Sequence, residues 1–217
     1  MVIEEEPRQR PVLLVVRVVY WGQRDRFLSL ASHRRAMPTI VVEPYDPDWP
    51  LLFEQLYARV WPAVQHASIA LEHVGSTAVP GLAAKPIIDA CIVLPSPRDL
   101  PFVTKGLVAL GYVHRGNLGV PGRDAFKATP DTLPKHHLYA SHRGSVSLKN
   151  HLGLRDYLRA NPDAAREYGA LKQSLAAQFP DDIDRYIAGK TPFVLDILRR
   201  VGLNEAELAE IAECNRL

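Results

Sequence analysis

Apolar residues recur along this chain in two rhythms, and the changes of rhythm mark its elements. From Trp49 the apolar positions Phe53, Leu56, Val60 and Val64 follow at spacings of three and four, which predicts one buried helical face. Asp46-Pro47 is read as its start, with Asp46 as N-cap and Pro47 at the first helical position, and Pro62 is expected to kink or end it. Ser96-Pro97 opens a second helix with Asp99 as the capping-box acid. Leu100, Val103, Leu107 and Leu110 form its apolar face, and Gly111 closes it. Between these helices the pattern shortens to runs of strand length. Residues 68–74 predict a strand ending at Gly75. Residues 85–94 predict another, with Ile87, Ile88, Ala90, Ile92, Val93 and Leu94 interrupted by the single carboxylate Asp89. Residues 39–43 read as a further strand.

Residues 112–143 read as β structure: a glycine-rich hairpin over 112–122, a strand over 124–129, a turn over 130–134 and a strand over 135–141. The last places His137, Tyr139 and Ser141 on one face and His136, Leu138 and Ala140 on the other. From Ser145 the chain is helical. Helices are expected over 147–160 and from Asn161-Pro162 to about Phe179, the second with Tyr168, Leu171 and Leu175 inward. Asp181 and Asp182 start a third. A break at Gly189 and Thr191-Pro192 is expected to begin a fourth, and Asn204 with Glu207 caps a last short one. Early βαβ-type units followed by helices predict an α+β fold, α/β-like at its start, in which a mixed sheet with helices carries a helical C-terminal layer.

A length of 217 residues suits one domain with appendages. Residues 1–36 break from the rest. Glu4, Glu5 and Glu6 precede an apolar stretch interrupted by Arg17, and a basic stretch with Arg24, Arg26, Arg34 and Arg35 follows. The acidic start and the missing small-residue cleavage site fit a signal peptide poorly. The expected division is an extension over 1–36, a domain over 37–203 and a C-terminal helix or tail over 204–217. A chain begun at Met37 is expected to melt within about 5 °C of the full chain, a margin of about 1 kcal/mol at this size. A larger drop in a calorimetric scan would place the extension in the core. The formal charge of +2 is too small to argue for nucleic acid or a membrane surface. Cys91 and Cys214 offer no disulfide framework and suit a reducing cytoplasm, and no run approaches the roughly 20 apolar residues of a membrane span.

Asp89 is the first candidate for chemistry. An acid within an apolar strand is costly unless paired, hydrogen-bonded or metal-bound, and a structural acid paired with Lys85 or an arginine is the alternative. Gly75, Ser76 and Thr77 form a turn whose backbone N–H groups can face an anion, or an ordinary β-turn. Lys85 stands at the mouth of the strand. Positions 89 and 91 share a face, and two carboxylates there would share Mg²⁺. Position 91 is instead Cys91, a soft donor ill-suited to a hard ion, read here as a small buried apolar residue. His136 and His137 point to opposite faces and cannot easily chelate one ion. His137 and Tyr139 could hydrogen-bond a substrate, and Arg123, Lys127, Lys149 and Arg155 are candidates to ring a phosphate site.

The stretch HVGSTAVPGLAAKPIIDACIVL resembles the signature of the GrpB family. VVEPYDPDWPLLF, GVPGRDAFKA with KHHLYAS, and LRDYLRANPDAAREYGALKQSLA agree with it, so the resemblance covers about residues 41–200. That family is similar to the nucleotidyltransferase superfamily, in which a Gly-Ser turn binds a nucleoside triphosphate and strand carboxylates bind Mg²⁺. The resemblance implies that Gly75 and Ser76, with Thr77, Lys85, Arg123 and His137 around them, hold the nucleotide. It implies that Asp89 is the metal-binding, catalytic carboxylate. The superfamily's second carboxylate is missing at Cys91, and residues 135–141 supply no third. The implied activity is Mg²⁺-dependent nucleotidyl transfer to a small-molecule or protein acceptor. The rivals are a nucleotide-binding module without transfer, which the missing carboxylate favours, and an interaction domain using its helical layer. In some proteins a similar domain is fused to a dephospho-coenzyme A kinase.

Overall fold

In the computed structural model, which describes residues 39–128 and 133–216, the spacing after Asp46 becomes helix α1 (Trp49–Val64). All five of its periodic apolar residues are buried. The cap lies elsewhere than expected. Asp48 occupies the N-cap position, and Asp46 Oδ1 accepts a hydrogen bond from the Asp48 N–H at 2.9 Å, tightening the turn that leads in. Pro62 neither ends nor visibly interrupts α1, which runs on to Val64 and a 3-10 turn over Gln65–Ala67. So near the C-terminus the proline forfeits only one backbone hydrogen bond.

Five strands form one mixed sheet: β1 (Ala70–Val74), β2 (Ile88–Leu94), β3 (Tyr112–His114), β4 (Arg123–Ala128) and β5 (His136–His142). Their order is β1-β2-β5-β4-β3. β2 and β5 run parallel, and the other neighbours are antiparallel. Helix α2 (Leu100–Ala109) follows β2, and its capping box forms as expected. Ser96 Oγ accepts from the Arg98 N–H at 3.2 Å, and Asp99 Oδ2 accepts from the Ser96 N–H at 3.0 Å. The expected end of a strand at Thr129 and most of the 130–134 turn lie outside the described residues, as do residues 1–36.

Residues 39–43 are not a strand. Glu43 makes one isolated bridge to Ala84. Ile40 donates its N–H to the Pro180 carbonyl at 2.7 Å and packs with Leu175, Tyr186 and Ile187. The apolar side chains of this segment are drawn to the C-terminal helices instead of to a sheet edge.

The period-2 alternation of β2 assigns the two faces of the sheet. Ile88, Ala90, Ile92 and Leu94 pack with Leu138, Ala140 and Phe126 against α1 and α2. Cys91 and Val93 point the other way, with Val74, Ala125, Tyr139 and Leu148. Cys91 is buried as expected, and burial pushes its thiol up to about 11. Helix α3 (Val146–Ala160) packs on that second face through Leu148 and Leu152, and α4 (Pro162–Gln178), α5 (Ile183–Arg200) and α6 (Glu205–Cys214) pack with it as a helical layer.

The expected break at Gly189 and Pro192 does not occur, since α5 runs through both. A Cβ on Gly189 would lie 3.1 Å from Leu175 Cδ1 and closer still to Cδ2. The glycine therefore lets α5 approach α4. Thr191 Oγ1 donates to the Ile187 carbonyl at 2.9 Å in the turn that Pro192 interrupts. Helix α6 forms behind the Asn204–Glu207 capping box. Its Leu208 and Ile211 join Leu158, Tyr168, Val194 and Leu198 in one cluster, so this helix packs into the helical layer. No helix among the described residues is long and apolar enough to cross a membrane.

Candidate functional site

β1 ends at Gly75, whose φ of 71° and ψ of −169° fall in a region essentially reserved for glycine. The 3-10 turn Ser76–Ala78 follows. Thr77 is 1% exposed. Its Oγ1 lies 3.0 Å from His73 Nε2 and donates to the Ile87 carbonyl at 3.4 Å. His73 stacks on Phe53 with ring centroids 4.6 Å apart. Burial lowers its pKa to about 4, overcoming the opposing pull of Asp89, so it is neutral and gives its Nε2 proton to Thr77. Thr77, expected on the phosphates, spends its hydroxyl pinning this turn to the start of β2.

Asp89 stands opposite Val74 of β1 and His137 of β5. Its Oδ1 accepts from His137 Nδ1 at 2.8 Å, with the two side chains 23% and 12% exposed. Burial works to raise the Asp89 pKa. The hydrogen bond and charge of His137, with Lys85 and His151 behind them, outweigh it and hold the pKa below its ordinary value. The partner of Asp89 is thus His137, and Lys85 lies over the Tyr186 ring, 6.0 Å from its centroid. Oδ2 lies against Gly75, where an added Cβ would overlap it and come 2.9 Å from Asp89 Cβ. Gly75 therefore makes room for the carboxylate as well as for the turn.

A cavity opens between this face and the helical layer. Gly75, Ser76, Thr77, Lys85, Asp89, Arg123 and His137 all line it, so the fold brings these seven candidates together. Arg155 lines it as well, and its Nη1 donates to Glu72 Oε2 at 2.6 Å and to the His73 carbonyl at 3.0 Å. Lys127 and Lys149 do not line it, and Lys149 pairs with Glu207.

The helices add two buried cations that the motifs did not single out. Lys172 of α4 is 2% exposed, donates to the Ala83 carbonyl and lies 4.8 Å from the Tyr168 ring centroid. Lys190 of α5 is 9% exposed and lies 5.4 Å from the Tyr186 centroid. Burial and the neighbouring Lys190 drive the Lys172 pKa well below its ordinary value. Burial brings Lys190 down to about 8 against the opposing effect of Asp89. The signal was present in the sequence. Each lysine sits four residues after an inward tyrosine, Tyr168 and Tyr186, on the apolar stripe of its helix. A lysine placed there is carried into the interior. Lys85, Arg123, Arg155, Lys172 and Lys190 line the cavity, and Asp89 and Glu210 are the acidic residues among its described lining.

Mg²⁺ requires several hard oxygen ligands. This face offers one carboxylate, with Oδ1 bonded to His137 and Oδ2 against Gly75. The thiol at 91 is protonated and buried, and position 137 is an imidazole. No group of three His, Cys, Asp or Glu side chains suited to a metal occurs among the described residues. The donor set does not fit a two-carboxylate Mg²⁺ clamp, as the missing second carboxylate at Cys91 implied.

A family model described as "GrpB protein" matches residues 39–200. The UPF0157 protein YqkA of Bacillus subtilis is 37% identical over 150 residues, 69% of this chain and 43% of that protein. A dephospho-CoA kinase of Mycolicibacterium paratuberculosis is 30% identical over 196 residues, 79% of this chain and 48% of the kinase. The chain thus matches less than half the length of these two relatives. The crystal structure of the conserved protein GrpB from Enterococcus faecalis superposes with a TM-score of 0.66 at 31% identity, covering 79% of this chain and 99% of that one.

Proposed function

The chain belongs to the GrpB family, and from that premise we propose that its cavity binds a nucleoside triphosphate whose charge is neutralised by protein cations. The observation that carries this reading is the placement of buried Lys172 and Lys190 in the same cavity as the Gly75-Ser76 turn. Burying two amines near one another disfavours their charged forms, and a polyanion between them would favour protonation and offset that cost. Ser76 and the backbone of the turn supply hydrogen-bond donors for phosphate oxygens. Because the site offers Mg²⁺ so few oxygens, binding is expected to persist without it.

The test is a thermal-shift titration of the full chain with ATP, GTP, CTP and UTP, each in Mg²⁺ and in EDTA, with the matching nucleosides as controls. A triphosphate at 100 times its Kd should add about 2.7 kcal/mol of stability, and the nucleoside should add far less. No shift with any triphosphate at millimolar concentration would sink the nucleotide reading. A shift confined to Mg²⁺ would sink the metal-independent form of it.

The Asp89–His137 hydrogen bond favours a second reading, nucleotidyl transfer. With Asp89 accepting at Nδ1, Nε2 is the ring nitrogen left to take the proton of an acceptor hydroxyl. The hydroxyl oxygen would bond to the α-phosphorus as the bond to the β-phosphate oxygen breaks and pyrophosphate leaves. Release of pyrophosphate from a bound triphosphate in the presence of acceptor, lost in His137→Gln, would separate transfer from binding alone.

A further inference from the structure

Two polar atoms in the cavity are buried without a hydrogen-bond partner: Arg123 Nε and His151 Nδ1. They come from different elements and meet over one ring. Arg123 pairs with Ser141 in the β4–β5 register, and its guanidinium carbon lies 4.6 Å from the Tyr139 ring centroid. His151, from α3, reaches the same ring at 5.7 Å between centroids. Along β5 the side chains of His137, Tyr139 and Ser141 share a face in steps of about 6.6 Å. The pair over Tyr139 is therefore one step from the Asp89–His137 hydrogen bond. It is separate from the lysines of α4 and α5 that the triphosphate reading uses.

A buried donor or acceptor left unpaired costs about 1–3 kcal/mol, and native structures rarely leave one without a purpose. Here two coincide in a cavity that opens onto a reactive-looking pair. The chemistry of the ligand follows from the atoms. A guanidinium N–H donates and cannot accept. His151 is held neutral, its pKa lowered to about 4 by burial first and by Arg123 second, and in the tautomer with its proton on Nδ1 it donates one hydrogen bond and adds no charge. Tyr139 already has Arg123 on its face, which leaves no room there for a stacked aromatic ring. An oxyanion meets these demands, because guanidinium binds carboxylate and phosphate in strong charge-assisted hydrogen bonds.

We propose that Arg123 and His151 form an oxyanion subsite over Tyr139, which holds the acceptor molecule by a carboxylate or phosphate group beside the triphosphate. The subsite itself rests on the two unpartnered atoms. The word acceptor rests on the transfer reading. This assigns Arg123 to a second ligand, where the sequence motifs had placed it on the nucleotide.

The test is calorimetric titration of the full chain, first unliganded and then saturated with a non-hydrolysable triphosphate analogue, using inorganic phosphate and succinate as separate probes. At least one probe should bind saturably to the analogue-loaded protein. Its affinity should fall at least about tenfold in Arg123→Met and in His151→Phe, a loss of about 1.4 kcal/mol. Affinity for the analogue should change less than about threefold, since screening weakens effects between separated charges. Binding of phosphate alone or succinate alone supports the subsite and names its anion. Probe affinity unchanged in both folded variants would overturn it, and so would non-saturable binding. A loss of analogue affinity in Arg123→Met as large as the loss for the probe would return Arg123 to the triphosphate. If the analogue fails to bind at all, the triphosphate reading falls. The unliganded titration with the same variants then still decides the subsite. Arg123→Lys, which keeps the charge and removes Nε, should lose probe binding as Arg123→Met does if the orphaned Nε is the contact.

Discussion

Lys190→Met is expected to stabilise the unliganded protein at pH 7 and to weaken triphosphate binding at least about tenfold. The two effects have one cause. Lys190 is 9% exposed, and burial lowers its pKa from 10.5 to about 8. Keeping it protonated at pH 7 therefore costs up to about 3 kcal/mol relative to the unfolded chain, at 1.36 kcal/mol per pKa unit. Methionine keeps the length and the apolar stem without the charge. Asp89 pulls the other way, and burial outweighs it. The sign of the pH dependence follows. The folded pKa lies below the unfolded one, so between about pH 8 and 10.5 the unfolded chain binds more protons. Wild-type stability gains from this group as pH rises through that window, and the gain is lost as pH falls back through it, gone by about pH 8. Denaturant titrations of both proteins at pH 7, 8, 9 and 10 should show Lys190→Met ahead at pH 7 and the two converging toward pH 10. A variant less stable than wild type at pH 7 would show that Lys190 has a structural role that outweighs its burial cost.

The same lysines show where a sequence stops being legible. Helix α1, both capping boxes, the two faces of β5 and the burial of Cys91 could be read directly, because each depends on periodicity or on contacts within a few residues. The residues that meet at the cavity come from β1, β2, β4, β5, α3, α4, α5 and α6, and that convergence is a property of the fold. Motif reading found Gly75, Ser76 and Asp89 because they lie within one stretch. It passed over Lys172, Lys190 and His151, which reach the site on helical stripes that otherwise look like core. Two local rules failed for physical reasons. The run over 39–43 has strand composition, but its Ile40 is pulled onto α4 and α5. The Gly189–Pro192 stretch looks like a break, but Gly189 serves the close approach to Leu175, and α5 absorbs one missing hydrogen bond. Asp89 was read as a metal ligand or a partner of a fixed cation. Its bond to His137 depends on β2 and β5 lying side by side, a parallel pairing across 48 positions of sequence.

Gly75→Ala is expected to destabilise the fold by more than its backbone strain and to impair triphosphate binding. The backbone conformation alone, φ 71° with ψ −169°, should cost about 1–3 kcal/mol for a residue bearing a Cβ. The rest comes from Asp89, since the new methyl would overlap Oδ2 and lie 2.9 Å from Asp89 Cβ. The carboxylate would have to rotate away from His137, or the turn would have to move off β2. A double-mutant cycle separates these parts. Asp89→Gly removes the obstructing atoms, so Gly75→Ala in that background should cost only the backbone strain. The coupling energy should be about 1–2 kcal/mol, within the range measured for residues in contact. Additivity within about 0.5 kcal/mol would mean that the turn and the carboxylate do not press on one another. The binding data carry the functional half of the argument. If Gly75 is glycine only to let a phosphate approach, Gly75→Ala should abolish triphosphate binding equally in both backgrounds. If it is glycine because Asp89 must sit against it, the loss should be larger with Asp89 present than with Asp89→Gly, where the methyl has space to occupy. The second pattern is the one expected, because the Cβ position on Gly75 is already filled by the carboxylate that His137 holds in place.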